Sequence, residues 1–421
     1  MGRKWWCLAS AVALSASFSA SASPVQLSFW YGLGGNLGQT LQAIVAKFNA
    51  SQSAIHVTAT YQGSYSGGGP EQQKLLAAIA SGAVPDLAQM EANSLPPFAQ
   101  SGALLDLGPY RKAYGLTGFL PGLLLSGRYQ GKQYAVPFNR SVPVLFYNAA
   151  MFKAAGIQSP PTTWSQLAQD AKQLTHGQGS HKVYGFNVLA DWWPWESWTL
   201  SSGGKIFNAS GTKALFAQPQ ALRPMEIQQA LLREGYANVH SGVNYWTDNV
   251  NDFAQGKTAM YIGSPGDTAQ IRAEAVPSVK NAWRSAFVPK DRGHALVVPP
   301  GGGNIVVFKN VPKVQRQAAL TFLHWLIQPA QQDYWSEQTG YLPATEAAAH
   351  APAYQRYLKA NPSFEVPISE LRYMGAMPLN NHYLQMLQAV EQGLQGIFDQ
   401  RRPVATTMQQ VAARTDRMMG E

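Results

Sequence analysis

Short apolar runs alternate along the chain with stretches in which apolar residues recur at helical spacing. Val25–Trp30 alternates as a strand, and Leu41, Ile44, Val45 and Phe48 then fall at i, i+3, i+4 and i+7, one face of a helix. Ile55–Tyr61 alternates again, and Pro85–Met90 predicts a third strand entered from a turn. Further strands are predicted at Tyr134–Phe138, Val144–Asn148, Thr258–Ile262, Ala295–Val298 and Ile305–Phe308. Between them run amphipathic helices. One begins near Thr163 and buries Trp164, Leu167, Ala171 and Leu174; another carries Ala319, Phe322, Leu323 and Leu326; Tyr383–Met419 is mostly helical in pattern. Alternating β and α predicts an α/β fold whose mainly parallel sheets are flanked by helices.

At 421 residues the chain is too long for one ordinary domain, and two lobes are expected. Its start, MGRKWWCLASAVALSASFSASA, has a basic opening, an uncharged apolar run and small residues up to Ala22, which reads as a secretory signal peptide over 1–22. The single cysteine, Cys7, lies inside that segment. The mature chain therefore has no thiol for a disulfide, a nucleophile or a metal. No later apolar stretch is long enough to span a bilayer, so an exported, periplasmic product is expected. Formal charge is +9, but Lys and Arg are spread thinly and carry no nucleic-acid motif. Gly and Pro gather at Gly63–Pro70, Pro299–Gly303 and Thr339–Pro343, which predicts turns or close backbone approaches where binding groups tend to sit. The stretch DWWPWESW, 191–198, holds four of the chain's 12 tryptophans, either as packing or as an aromatic platform.

Catalytic signatures are missing. The histidines are scattered without HExxH or other ligand spacing, so no metal or other cofactor is expected. Gly256-Lys257-Thr258 imitates the end of a P-loop, but the required first glycine is Asn251. GSYSG places Tyr65 where a nucleophile elbow would need serine. Glu91 and Glu196 could face each other as a glycosidase pair, which leaves an exported carbohydrate-active enzyme as the rival from another class.

Several blocks in order, SGAVPD (81–86), VLFYNAAMFKAAGI (144–157), TWSQLAQDAKQL (163–174), FAQGKTAMYIG (253–263) and the run ending WSEQTGYLP (335–343), resemble the extracellular solute-binding proteins of ABC importers. The likeness covers essentially the whole mature chain. It is strongest to the glycerol-3-phosphate-binding branch of that family, through Phe29-Trp30, Pro137–Asn148, and Leu371-Arg372 followed by Met377-Pro378. The resemblance implies a two-lobed fold with the ligand cleft between the lobes, no enzymatic activity, and a monomer that serves importer membrane subunits. It implies an N-terminal lobe of 23–138 plus 301–341 and a C-terminal lobe of 139–300 plus 342–421, with crossings near Pro137–Ser141, Val298–Gly302 and Gly340–Ala344. The implied ligand is a small phosphorylated polyol, sn-glycerol-3-phosphate or a glycerophosphodiester; a neutral oligosaccharide in the same fold is the alternative.

Carried over by motif, the ligand positions are Tyr65, Glu91, Ser141, Ser264, Gly302, Tyr341 and Arg372, with Trp192 added by its alignment through Glu196. The chemistry is coherent. A phosphate ester offers strong acceptor oxygens, which an arginine fork, hydroxyls and a glycine N–H can meet, while the glycerol hydroxyls suit an acceptor such as Glu91. Simpler roles compete: Arg372 paired with Glu370 or Glu365, the serines as local caps, Tyr341 as a packed ring. Adjacent tryptophans point in different directions, so Trp192 alone is expected at the cleft, while packing is expected for Trp193, Trp195 and Trp198. Two departures stand out. Arg140 replaces a small polar residue, and the segment after Arg372 is one residue longer.

Overall fold

The computed structural model describes residues 23–120, 122–242, 244–375 and 382–420. The expected signal peptide, with its cleavage point at Ala22, and the Met377-Pro378 pair lie outside the described residues. The strands are β1 (Val25–Tyr31), β2 (Ile55–Tyr61), β3 (Leu87–Glu91), β4 (Arg128–Tyr129), β5 (Lys132–Gln133), β6 (Ala135–Ser141), β7 (Val144–Asn148), β8 (Phe186–Val188), β9 (Ala237–Val239), β10 (Met260–Gly263), β11 (Trp283–Ala286) and β12 (Gly301–Val307). They form two five-stranded sheets, β2-β1-β3-β12-β6 and β11-β7-β10-β8-β9, plus the small β4-β5 hairpin.

Both large sheets are mixed. In the first, β1 pairs parallel with β2 and β3, whereas β12 runs antiparallel to β3 and β6. In the second, β8 is parallel to β9 and β10, and β7 is antiparallel to β10 and β11. The antiparallel ladders are those made by strands flanking the crossings. The chain leaves the first sheet at Ser141, enters the second at Val144, and returns at Gly301. The third passage is pinned by an antiparallel bridge between Arg140 and Leu342.

Period-two alternation assigns each face of the first sheet its own core. Phe29, Leu87, Phe138, Ile305 and Val307 pack with Leu41, Ile44, Val45 and Phe48 of helix Gly35–Ser51 and with Phe322 and Leu326 of helix Lys313–Leu326. Ala88, Met90, Ala135 and Val306 face the other way, onto Leu75, Leu95 and Phe98. A larger core covers the second sheet and takes in Trp164, Trp195, Trp198 and Leu387. Each fully buried Leu, Val or Phe contributes roughly 1.5–3 kcal/mol from area removed from water.

One expectation fails locally. Ala295–Val298 is not a strand; only Val298 makes a bridge, to Met374. The backbone groups there are satisfied elsewhere, since Ser201 Oγ exchanges hydrogen bonds with both N–H and C=O of Val297 and Val298 N–H donates to Tyr373 O. The glycine run 301–303 opens β12 and supplies the close backbone approach expected of it, Gly302 lying against Asn139 O.

Candidate functional site

The crossings bring several polar side chains to the ends of the strands. Glu91 is the last residue of β3, Ser141 the last of β6, and Gly302 lies near the start of β12, opposite Arg140. Strand ends in open α/β sheets are where ligand crevices form. The register of the β12–β6 ladder shifts between Gly302 and Asn304, with the extra residue on β6 between Pro137 and Arg140, and Gly302 adopts φ +83°, open to glycine but costly for other residues.

Around these ends the structure gathers five of the eight anticipated residues, Tyr65, Glu91, Ser141, Ser264 and Tyr341, into buried hydrogen-bonded groups. Tyr65 Oη accepts from Asn139 Nδ2 at 3.0 Å, and Asn139 Oδ1 accepts from Gln89 Nε2 at 2.6 Å. The Tyr341 hydroxyl joins this same group, and its ring stacks on Trp335 with centroids 5.8 Å apart. Ser141 and Ser264 meet hydroxyl to hydroxyl at 2.7 Å, one from each sheet's side of the crossing. Ser264 is also a local cap, accepting from Gly266 N–H while Asp267 accepts from Ser264 N–H. Glu91 accepts from Gly67 N–H at 3.2 Å and Gln72 Nε2 at 3.3 Å. Trp192 is buried, its indole N–H has no partner among the described residues, and it lies 3.8 Å from where a Cβ on Gly67 would stand.

The electrostatics are those of acids held out of water. Burial, then the nearby Asp191 carboxylate, raises Glu91 to about 8, against the partial offset of its Gly67 and Gln72 hydrogen bonds. Asp191 and Glu391 are both raised as well, chiefly by burial. Burial pushes the Tyr341 phenol to about 12. Sequence reasoning missed Asp191, Tyr245, Glu391 and Asn139. Tyr245 donates a short hydrogen bond to Asp191, and Gln388 Nε2, one turn from Glu391, reaches Gly67 O at 3.3 Å. Glu391 sits on the amphipathic helix Tyr383–Phe398, where a lone Glu reads as solvent face. Only Asn139, inside the PFNRS block, carried a usable signal.

The tryptophan cluster is a helix, Trp192–Ser201, capped by Asp191 accepting from Trp193 N–H. Trp195 is edge-on to Phe216, and Trp198 packs against Trp164 and Phe398. Trp193 packs too, but on the hinge: its ring lies 2.2 Å from where a Cβ on Gly301 would stand, and it faces Trp246 at 6.2 Å. Glu196 is buried and accepts from Tyr383 Oη at 2.9 Å, and burial raises it to about 7.

Arg372 is not gathered in. It is exposed, with its guanidinium 5.0 Å over the Tyr373 ring. Glu370 does not pair with it; that carboxylate is turned inward and accepts from Val288 N–H. Among the described residues no cluster of His, Cys, Asp and Glu could hold a metal, and no helix is long and apolar enough to cross a membrane.

Residues 43–362 match the family described as bacterial extracellular solute-binding protein. The chain belongs to that family. Members bind a small ligand outside the cytoplasm and work with membrane permease subunits, so the chain is a binding receptor and not an enzyme. Among its relatives, the sn-glycerol-3-phosphate-binding periplasmic protein UgpB of Yersinia pseudotuberculosis is 26% identical over 392 residues, covering 87% of this chain and 85% of the relative. The UgpB of Escherichia coli strain 536 is 27% identical, over 88% of this chain and 86% of its own. Two solved structures share the fold. UgpB from Mycobacterium tuberculosis in complex with glycerophosphocholine has a TM-score of 0.82 at 24% identity, covering 95% of this chain and 98% of its own. Maltose-bound T. maritima MalE3 has a TM-score of 0.84 at 19% identity, covering 94% and 100%. The solute-binding protein's two lobes and mixed α/β sheets are thus those of its structural neighbours.

Proposed function

We propose that the chain captures sn-glycerol-3-phosphate, or a glycerophosphodiester such as glycerophosphocholine, in the periplasm, and delivers it as a monomer to the permease of an ABC importer. The observation that carries this reading is the asymmetry of the buried polar groups. Hydroxyls of Ser141, Ser264 and Tyr341 and the side-chain-free backbone at Gly302 gather beside the crossings, a donor set suited to phosphate oxygens. Glu91, Asp191 and Glu391 form the opposite character, acceptor-rich and flanked by Trp192, suited to glycerol hydroxyls and to a cationic head group. The relatives named for sn-glycerol-3-phosphate, and the neighbour holding glycerophosphocholine, support the same ligand class.

A neutral sugar is the second reading. It is favoured by the exposed position of Arg372 and by neighbours that hold maltose or tagatose. Titration calorimetry on the ligand-free mature protein separates the two. Heat with sn-glycerol-3-phosphate or glycerophosphocholine, and none with maltose, is expected; heat with maltose alone overturns the proposal.

A further inference from the structure

Arg140 is the only Lys or Arg that is buried among the described residues. It stands where all three interlobe passages meet: next to Ser141 at the end of β6, opposite Gly302 on β12, and with its backbone carbonyl accepting from Leu342 N–H at 2.8 Å. Its Nη1 donates to Asn304 Oδ1 at 3.2 Å, while Nε and Nη2 are buried without a partner among the described residues. Asn304 is neutral and is itself held by Ser126, so no carboxylate balances the guanidinium there. The ionisable group that acts on it is the Tyr65 phenol.

Such an arrangement is expensive for a protein to keep. Arginine does not shed its proton, and a buried charge left unpaired costs several kcal/mol in general. The two free nitrogens have a further property. Nε–H and the Nη2–H beside it point the same way along one edge of the planar group, the edge that grips a carboxylate or phosphate with two parallel hydrogen bonds.

We propose that Arg140 is a specificity-determining residue that receives the anionic group of the ligand, with its Nε and Nη2 edge donating to phosphate-ester oxygens as the lobes close. This rests on the phosphate-ester reading above and sharpens it by moving the decisive charge from exposed Arg372 to the hinge.

The test compares wild type, Arg140→Met, Arg140→Lys and Arg372→Ala in the full mature protein, by calorimetry with sn-glycerol-3-phosphate and by thermal melts with and without ligand. Arg140→Met is expected to weaken binding roughly thirtyfold or more, while its ligand-free melting temperature stays level or rises, because an apolar side chain of similar length replaces an unpaired charge. A merely structural role would lower both together. Arg140→Lys, which keeps the charge but not the fork, should bind at an intermediate level and guards against misfolding of the Met variant. Binding by either folded Arg140 variant within twofold of wild type overturns the proposal. If wild type itself binds no phosphate ester, the parent reading fails separately, and inorganic phosphate becomes the probe. A phosphate-induced rise in wild-type melting temperature that Arg140→Met abolishes then sustains the anion role, and no rise in wild type overturns it.

Discussion

Gly302 shows how little room the hinge leaves for side chains. A Cβ there would stand 1.8 Å from Asn139 O, and the residue already sits at φ +83°. Either condition alone disfavours a substitution; the left-handed conformation costs on the order of 1–3 kcal/mol in a non-glycine residue, and the overlap with a backbone oxygen cannot be relieved by a rotamer change. Gly302→Ala is therefore expected to destabilise the protein by at least about 2 kcal/mol, read as a lower denaturant midpoint with an unchanged slope. Gly131→Ala makes a fair control, since it too has a positive φ of 80° but meets nothing within 4 Å. Equal losses at the two positions would show that strain alone, and not the approach of Asn139 O, sets the cost at the hinge.

At the scale of single elements, helix Trp192–Ser201 is buried nearly all round, with only Leu200 part-exposed. Trp198 lies between Trp164 and Phe398 with 1% of its surface exposed, so Trp198→Ala should cost about 3–5 kcal/mol of stability. Trp192 leans on the glycine loop instead of a second aromatic ring. Trp192→Ala should lose less stability, and should weaken glycerophosphocholine more than sn-glycerol-3-phosphate if the indole borders a head group. Equal weakening of both ligands in calorimetry would remove Trp192 from that role. The legibility of such elements in sequence followed their periodicity. Helix Trp164–Leu174 was readable to its first residue, because Thr163 and Gln166 form a capping box and four apolar positions share a face. Strands Ile55–Tyr61 and Val144–Asn148 were readable for the same kind of reason. Phe186–Val188 and Ala237–Val239 were not, since three residues show no period, and parallel pairing inside the second sheet is what makes them strands. The site divided likewise. Residues in compact motifs, such as Ser141 and Tyr341, could be named in advance as candidates, whereas Asp191 and Glu391 acquire their character from burial, which no local pattern records.

For the whole molecule, the trio of Glu91, Asp191 and Glu391 is expected to couple proton binding to closure. Glu91 belongs to the first sheet, while Asp191 and Glu391 come from elements packed on the second, and Gln388 ties the latter side to Gly67. Bringing the carboxylates together and burying them raises all three, with Glu91 moving from 4.5 to about 8. Across that window the closed, ligand-free form keeps a proton that the opened or unfolded chain has released. Linkage then requires the closed form to lose stability as pH rises from about 4.5 toward 8, and to be most favoured below that range. The melting temperature of the ligand-free protein should accordingly fall between pH 5 and pH 9, and small-angle scattering should show a larger radius of gyration at the alkaline end. The variant carrying Glu91→Gln and Glu391→Gln, which mimics the protonated pair without charge, should make both profiles shallower, leaving the raised Glu71, Asp191 and Glu196 to titrate. A polyol whose hydroxyls donate to the ionised carboxylates replaces the lost protons as the source of hydrogen bonds, so ligand-induced stabilisation should grow with pH in wild type. A double variant whose melting profile falls as steeply as that of wild type would mean that other groups govern the pH response, and that the acidic cluster does not gate the lobes.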